Sequence, residues 1–471
     1  MTALPASLLG RQVLLLNWRD PRHPAAGGAE RYAFEIARRW ATAGLGVTWL
    51  TSRPAGLPAR EVLDGVTVLR AGGEFSLYAR AALRIARSAH RFDAIVDCQN
   101  GIPFFAPLFA GRTPTVQVVH HVHQDQFALR FGKVGAAVGR WLEADLSRAV
   151  YRHATVAVSP STRQELRRRL GIRGDVYVVP NGSEPGPRLS GPRDPDPTIT
   201  VVSRLVPHKR VDRLIEAVPA VLERFPALRV HVVGDGPELP HLSRLVSRLD
   251  LDPVVTLHGR QPDHVRDDLL ASSWLTVMAS HGEGWGISVI EAARFGVPCV
   301  GFAVPGVRDS VLDGTTGWLQ PEDEPLDRNI IRALEQLSDD RRAAQIVDAC
   351  RRWADSFSWD RSAERLAGVV ADEIQRRTPS GRAVRRARSE LGTVVRFRGP
   401  LQLAASFRPS DETSVDDAGV ITALLHGCDE MDAATLVEAR GGRVLSIRLA
   451  GDLDLLAGPG ARPRTTTDAE Q

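Results

Sequence analysis

Strand-like apolar runs alternate with amphipathic helical stretches across residues 13–375. VLLLNW (13–18) reads as a strand and is followed by a Pro/Gly loop and a helix over about 29–43. VTWLTS (47–52) and VTVLRA (66–71) read as strands. A helix over roughly 76–90 then puts Leu77, Ala81, Ile85 and Ala89 on one face. DAIVDC (93–98), TVQVVH (115–120), ATVAVS (154–159) and VYVVP (176–180) complete the first set. Strands separated by helical patterns imply right-handed βαβ crossovers and a parallel sheet.

Residues 184–197, EPGPRLSGPRDPDP, hold five prolines and no periodic apolar pattern, the signature of a linker. The alternation then restarts with TITVVSRL (198–205), a helix near 209–224, LRVHVVGDG (228–236), a helix near 238–249, VVTLHG (254–259) and WLTVMAS (274–280). The expected class is α/β: two doubly wound domains, 1–183 and 198–356, facing a cleft. The amphipathic segment 357–377 closes the pattern, and 378–471 form an extension of different character. Within that extension RVLSIRLAG reads as a short strand pair, and PGARPRTTTDAEQ (459–471) as a disordered end. Asp452 and Asp454 flank a leucine, and a surface turn explains them better than a metal site. Ligands of doubly wound sheets sit in the crevice outside the carboxyl ends of the strands.

The chain's 471 residues exceed one ordinary core, and 43% hydrophobic with 25% charged residues is a globular profile. No apolar run reaches the ~18 residues that span a bilayer, and the N-terminus lacks the basic start of a signal peptide, so a cytoplasmic location is expected. Cys98, Cys299, Cys350 and Cys428 are scattered without metal spacing and read as reduced core thiols. The net charge is +4, and basic residues cluster in RQELRRRLGIR (163–173) and in the run Arg376, Arg377, Arg382, Arg385, Arg386, Arg388, Arg396, Arg398. No aromatic interleaving or nucleic-acid motif accompanies them, so nucleic acid is not an expected partner; a solvated helix face or an anionic membrane surface remain.

Four segments carry candidate chemistry. In HGEGWGISVIEAARFGVPCV (281–300), Glu283 and Glu291 flank a glycine turn. Gly284 and Gly286 permit close backbone approach. Ile287, Val289, Ile290, Ala292 and Ala293 read as a short buried helix whose N-terminus suits a phosphate, ended by Pro298. In NWRDPRHPAAGGAERY, Gly27 and Gly28 lie between the first strand and its helix, where backbone amides can approach an anion, and Glu30 falls in the first helical turn. In SRLVPHKRVDRL, Arg204 ends a strand and Lys209 opens the next helix; together they suit a diphosphate leaving group. In TVQVVHHVHQDQF, His120 ends a strand, with His121 and His123 beyond it. These histidines suit sugar hydroxyls, a metal, or internally satisfied polar groups; without identifiable partners to orient their rings, no metal is expected.

Taken in order, these segments resemble the family 4 retaining glycosyltransferases, which have the GT-B architecture of two Rossmann-like domains. The resemblance covers roughly residues 11–375. Its most specific part is Glu283–x7–Glu291 followed by EAARFGVPCV; Arg204–x4–Lys209, Gly27–Gly28–Ala29–Glu30, VVPNG with Asn181, VVGDGPE and PGVRDSVLDGTTGWL also match. Arg294 and Phe295 stand where smaller residues are usual.

The resemblance implies a nucleoside diphosphate sugar bound mainly by the second domain and an acceptor bound by the first. Glu291 would hold the ribose hydroxyls and Glu283 the donor sugar. Gly286, Ile287 and Ser288 would offer backbone contacts, and Arg204 and Lys209 would hold the diphosphate. His120 matches the family's active-site histidine, with His121, one position on, the other candidate. Segment 357–377 would cross back to the first domain. No cofactor is implied, and no essential metal, because two cations supply the counter-charge. Family precedent points to a lipid or polysaccharide acceptor of the cell envelope, and the basic run after residue 375 to peripheral contact with a membrane's inner face. An epimerase of the same fold and a non-catalytic nucleotide-sugar binder are the alternatives.

Overall fold

The computed structural model describes residues 4–151, 154–172, 176–184, 193–376, 392–400, 403, 407, 412–416, 419–426 and 430–450. Residues 185–192 of the proline-rich segment, Arg173, the arginines at 377–388, Cys428, Asp452, Asp454 and the tail 459–471 lie outside this set. The chain divides into two compact units, residues 1–377 and 378–471.

The first lobe of the larger unit contains β1 (Gln12–Leu16), α1 (Gly28–Thr42), β2 (Gly46–Thr51), β3 (Arg60–Leu63), β4 (Val66–Arg70), α2 (Ser76–Ser88), β5 (Ala94–Gln99) and β6 (Thr115–Val119). It continues through α3 (Gln126–Arg130), α4 (Lys133–Trp141), α5 (Ser147–Val150), β7 (Thr155–Ala157), α6 (Pro160–Arg168) and β8 (Val176–Val178). The sheet order is β3-β4-β2-β1-β5-β6-β7-β8. All pairings are parallel except β3–β4. That hairpin, absent from the sequence reading, turns on Asp64 and Gly65 at φ +44° and +83°, the positive pair that a two-residue turn requires.

The second lobe contains β9 (Thr198–Val202), α7 (Val211–Arg224), β10 (Arg229–Val233), α8 (Leu239–Arg248), β11 (Val255–Gly259), α9 (Asp263–Ser272), β12 (Thr276–Met278) and α10 (Ile287–Arg294). Then follow β13 (Cys299–Phe302), α11 (Val307–Ser310), β14 (Gly317–Gln320), α12 (Asp327–Leu337), α13 (Asp340–Asp355) and α14 (Trp359–Arg376). Strands order as β11-β10-β9 and β12-β13-β14, and the parallel bridge Ile199–Leu275 joins the two runs. The combined order reverses between β9 and β12, as in doubly wound sheets, and the first sheet reverses between β1 and β5.

Each lobe has its own core. Val230, Val277, Val300, Ile330 and Leu334 belong to the second, while Val13, Ile36, Trp40 and Val96 belong to the first. α14 buries Trp359, Ala363, Leu366 and Val370 in the core of the first lobe, and Trp40 donates its indole N–H to Ala363 O at 2.9 Å. Gly182 lies against the backbone of Ser358 and Trp359, so the two strands of chain between the lobes touch there. Cys98, Cys299 and Cys350 are buried free thiols. Among the described residues, no helix is long and apolar enough to cross a membrane.

Two local expectations are corrected. α10 ends at Arg294 rather than at Pro298: Gly296 at φ +86° closes it, with Val297 N bonding back to Ala292 O at 3.1 Å. Lys209 does not open α7. It closes a single 3-10 turn, Pro207–Lys209, and Arg210 at φ +51° separates that turn from the helix.

In the smaller unit, β15 (Gly392–Arg398), β16 (Glu412–Val415), β17 (Ile421–His426), α15 (Glu430–Glu438) and β18 (Arg443–Ala450) form an antiparallel sheet of order β16-β17-β15-β18 with a helix. Val395, Phe397, Ile421, Ala423, Leu425, Ala433 and Val437 make its core. RVLSIRLA is one strand, not a pair: it contains no turn residue and pairs with β15 along its length, with a shift of register between Arg396 and Phe397.

Candidate active site

The glycine loop, Arg204 and the acidic turn follow strands at which the two sheets reverse, and His120 follows β6. After β1, Gly27 in extended conformation precedes α1. Its N–H is capped by Glu30 Oε2 at 2.7 Å, which fixes the glycine loop. After β9, Arg204 reaches across from the second lobe. A Cβ built on Gly27 would lie 3.7 Å from the Arg204 guanidinium carbon, and one on Gly28 would lie 2.9 Å from Ile287 Cδ1. The missing side chains are what let the glycine loop meet both the arginine and the first residue of α10.

After β12 the chain enters the acidic turn. Glu283 Oε1 accepts from Lys209 Nζ at 2.5 Å, with the two side chains 13% and 15% exposed. Burial alone would raise the pKa of Glu283; the Lys209 charge and its hydrogen bond outweigh that and hold it below the usual glutamate value. Gly306 packs against the Glu283 carbonyl. Gly286, at φ +94°, sets the N-terminus of α10, and the amides of Ile287 and Ser288 in its first turn have no intrahelical acceptor. Glu291, on the first lobe's side of α10, pairs with Arg31 of α1.

His120 sits at the end of β6 with its carbonyl against Gly284, where an added Cβ would come within 2.1 Å of the oxygen. Its ring is T-shaped to Tyr32 at 5.1 Å, and its buried Nε2 has no hydrogen-bond partner. His121 lies beside Gly282, with Nδ1 likewise unpartnered. His123 is tied down within its own lobe: Nδ1 bonds to the His121 carbonyl at 2.9 Å, and its backbone N–H donates to Glu143 Oε1 at 2.6 Å. Asn181 Oδ1 is buried and unpartnered next to the interlobe turn at Gly182.

Three contributors escaped sequence reasoning. Arg31 follows the predicted glycine loop, but its partner is 260 positions away. Asn17, fully buried at the end of β1, leaves both side-chain polar atoms without partners. His208, beside Lys209, has its pKa pushed down to about 4 by burial first and the lysine charge second. A polar residue immediately after an apolar strand was the available signal for Asn17.

The lobes also latch beyond the acidic turn. Arg308 Nε donates to Ser161 Oγ at 2.9 Å, and Asp309 Oδ2 accepts from Ser161 N at 3.0 Å at the start of α6. Thr162 Oγ1 donates to Gly284 O at 3.3 Å. Among the described residues, no cluster of three His, Cys, Asp or Glu side chains could hold a metal ion.

Burial, then the charge of His123, pushes the pKa of His120 down to about 3, and burial does the same for His121. Both imidazoles are therefore neutral donors or acceptors near neutral pH. Below about 6.5 the unfolded rings bind protons that the folded rings refuse, so the contribution of each to stability falls as pH drops from 6.5 toward 3. The His120 ring signals in an NMR titration are expected to stay unprotonated through about pH 8 to 5. A midpoint near 6.5 would contradict the burial described above.

Two family profiles match the chain: Glycosyl transferases group 1 over residues 183–355, and Glycosyltransferase Family 4 over residues 26–186. A D-inositol 3-phosphate glycosyltransferase of Kineococcus radiotolerans is 30% identical over 410 residues, 75% of this chain and 92% of that protein. The chain belongs to the family 4, group 1 glycosyltransferases. A GDP-mannose-dependent alpha-(1-6)-phosphatidylinositol monomannoside mannosyltransferase of Mycolicibacterium smegmatis is 34% identical over 189 residues, 38% of this chain. That match spans 49% of the relative's own length, about half. The solved structure of Anabaena HepE in complex with UDP and glucose superposes with a TM-score of 0.59 at 20% identity, covering 77% of this chain and 100% of that one. At that identity the likeness shows the fold, which is GT-B.

Proposed function

We propose that this family 4 member moves a sugar from a nucleoside diphosphate sugar to an acceptor hydroxyl, with retention at the anomeric carbon. The acceptor is a glycolipid or polysaccharide of the cell envelope, met at the inner face of the membrane. One observation carries the reading: two cations that follow the reversing strand of the second sheet, Arg204 and Lys209, stand with the glycine loop and histidines of the first.

In this reading Arg204 and Lys209, with the first amides of α10 at Gly286, Ile287 and Ser288, hold the donor diphosphate and take up the charge that develops as it leaves. Among the described residues no ion pair neutralises Arg204, which leaves its fork available to phosphate oxygens. Glu291 accepts from the ribose hydroxyls, and Arg31 is displaced to admit them. Glu283, kept ionised by Lys209, accepts from donor sugar hydroxyls, and the neutral His120 and His121 present unpartnered nitrogens to the same sugar. Asn17 and Asn181 supply polar atoms at the first lobe's side.

The donor C1–O bond breaks with its electron pair going to the diphosphate. The acceptor oxygen bonds to C1 on the same face, and its proton passes to the departing phosphate oxygen. Glu283 is engaged by Lys209, which favours this route over a covalent glycosyl-enzyme. The phosphatidylinositol monomannoside named for one relative supports a lipid acceptor.

A thermal-shift screen of nucleoside diphosphates and their sugars tests the reading. At about a hundred times Kd a true donor adds roughly 2.7 kcal/mol by mass action, and Glu291→Ala should remove most of the shift. Nucleoside diphosphate should be released only when acceptor extract is added. A donor that changes configuration alone assigns an epimerase instead, and a complete absence of shifts sinks the site.

A further inference from the structure

Apart from the residues assigned above, the first lobe presents a second face. α4 packs its Ala136 and Gly139 inward, and Gly139 is so close to Phe127 that an added Cβ would lie 2.7 Å from the ring. Its outer face carries Val134, Val138 and Trp141, 79%, 50% and 52% exposed, at helical spacing i, i+4, i+7. Lys133 and Arg140 stand on the same exposed surface.

Next to this stripe is a groove of about 520 Å3, whose walls include Arg140, Trp141, Arg148, Arg168 and Arg169. Here Arg168 and Arg169 of the basic run come alongside α4. Arg148 is paired with Asp145 at 2.9 Å, and Arg169 with Asp125 at 2.9 Å and Glu165 at 3.3 Å. Among the described residues Arg140 and Arg168 have no ion-pair partner. At the groove's inner wall, Gln124 donates to Glu143 Oε2 at 2.7 Å, and Glu143 also holds the His123 backbone N–H. The groove thus lies one hydrogen-bonded chain away from His123, on the first lobe.

A phosphate-bearing polymer in water would meet the cations and leave the apolar stripe uncovered. An anionic bilayer offers a partner to both, phosphate oxygens for guanidinium forks and an acyl boundary for valine and tryptophan. We propose that this face docks the chain on an anionic phospholipid surface, with headgroup phosphates entering the groove at Arg140 and Arg168 and Val134, Val138 and Trp141 entering the boundary. The inference locates the membrane contact of the proposed function on the folded first lobe.

Sedimentation of the full chain with vesicles, without donor, tests it. The chain should pellet with vesicles of equal parts phosphatidylcholine and phosphatidylglycerol and remain in solution with phosphatidylcholine alone. R140E/R168E should lower the partition coefficient at least tenfold, from about 1 kcal/mol per cation near such a surface. V134S/V138S/W141S should lower it by a similar factor, and this loss should persist at high salt, where charge is screened. All five positions are solvent-exposed, and unchanged melting temperatures and nucleotide-induced shifts would show that fold and cleft are intact. Failure to pellet with anionic vesicles at low salt overturns the proposal, as does undiminished binding by R140E/R168E. Saturable binding of inorganic phosphate by a chain that ignores vesicles would assign the groove to a soluble phosphorylated ligand, and also overturns it. Because no donor is present, each of these outcomes leaves the nucleotide-sugar reading standing on its own test.

Discussion

Lys209→Ala is expected to lower kcat by about a hundred- to a thousandfold, the loss that follows removal of a preorganised charge from a developing anion. Lys209 does two jobs. In the proposed reading its ammonium faces the region where the diphosphate accumulates charge, and it sits 2.5 Å from Glu283, whose ionisation it sustains. Without the lysine, burial acts on Glu283 unopposed by its strongest counter-charge and the pKa of that carboxyl rises. The variant's residual activity should therefore shift its acid limb to higher pH, while far-UV circular dichroism remains that of the parent. Lys209→Arg keeps the charge but replaces a compact ammonium with a wider fork, and should recover only part of the rate. Turnover of Lys209→Ala within twofold of the parent would dismiss the diphosphate role.

Gly284→Ala should cut kcat/KM by about a hundredfold, because an ångström of misplacement at a reacting centre is enough to do so. The new methyl would lie 2.1 Å from the His120 carbonyl oxygen, a backbone atom of the opposite lobe that cannot swing aside. The lobes must part or the acidic turn must move, and either separates the histidines from Glu283. Gly282→Ala is the matched control. Its methyl would rest 3.8 Å from His121 Nε2, an ordinary contact, so activity near that of the parent is expected. Nucleotide-induced thermal shifts should survive in both variants, since the cations and Glu291 are untouched. Equal turnover by the two variants would show that close approach of the lobes at Gly284 has no part in catalysis.

The strand–helix alternation was legible because buried parallel strands such as VLLLN and AIVDC are unbroken apolar runs, and the helices between them carry one apolar stripe. The glutamates, Arg204, Lys209 and the glycine pair were legible as residue types at fixed offsets. What remained hidden depends on distance along the chain or on local backbone geometry. The partner of Arg31 lies in the other lobe, and no local pattern announces it. The β3–β4 hairpin has half-exposed, charged residues on its edge strand, which weakens the apolar signal. The end of α10 was misplaced because proline is a loud breaker, whereas the glycine two residues earlier acts through a left-handed backbone. The histidines at 120, 121 and 123 separate only once Glu143, 20 residues beyond His123, claims the His123 amide.

The pairing of Arg31 with Glu291 has a kinetic meaning. In the proposed role for Glu291, substrate entry is an exchange reaction in which ribose hydroxyls replace a guanidinium already in place. Net affinity is then the difference between two contacts rather than the value of one. Departure of the spent nucleotide is assisted by the arginine returning to its carboxylate, so the vacated seat reseals itself and product does not linger.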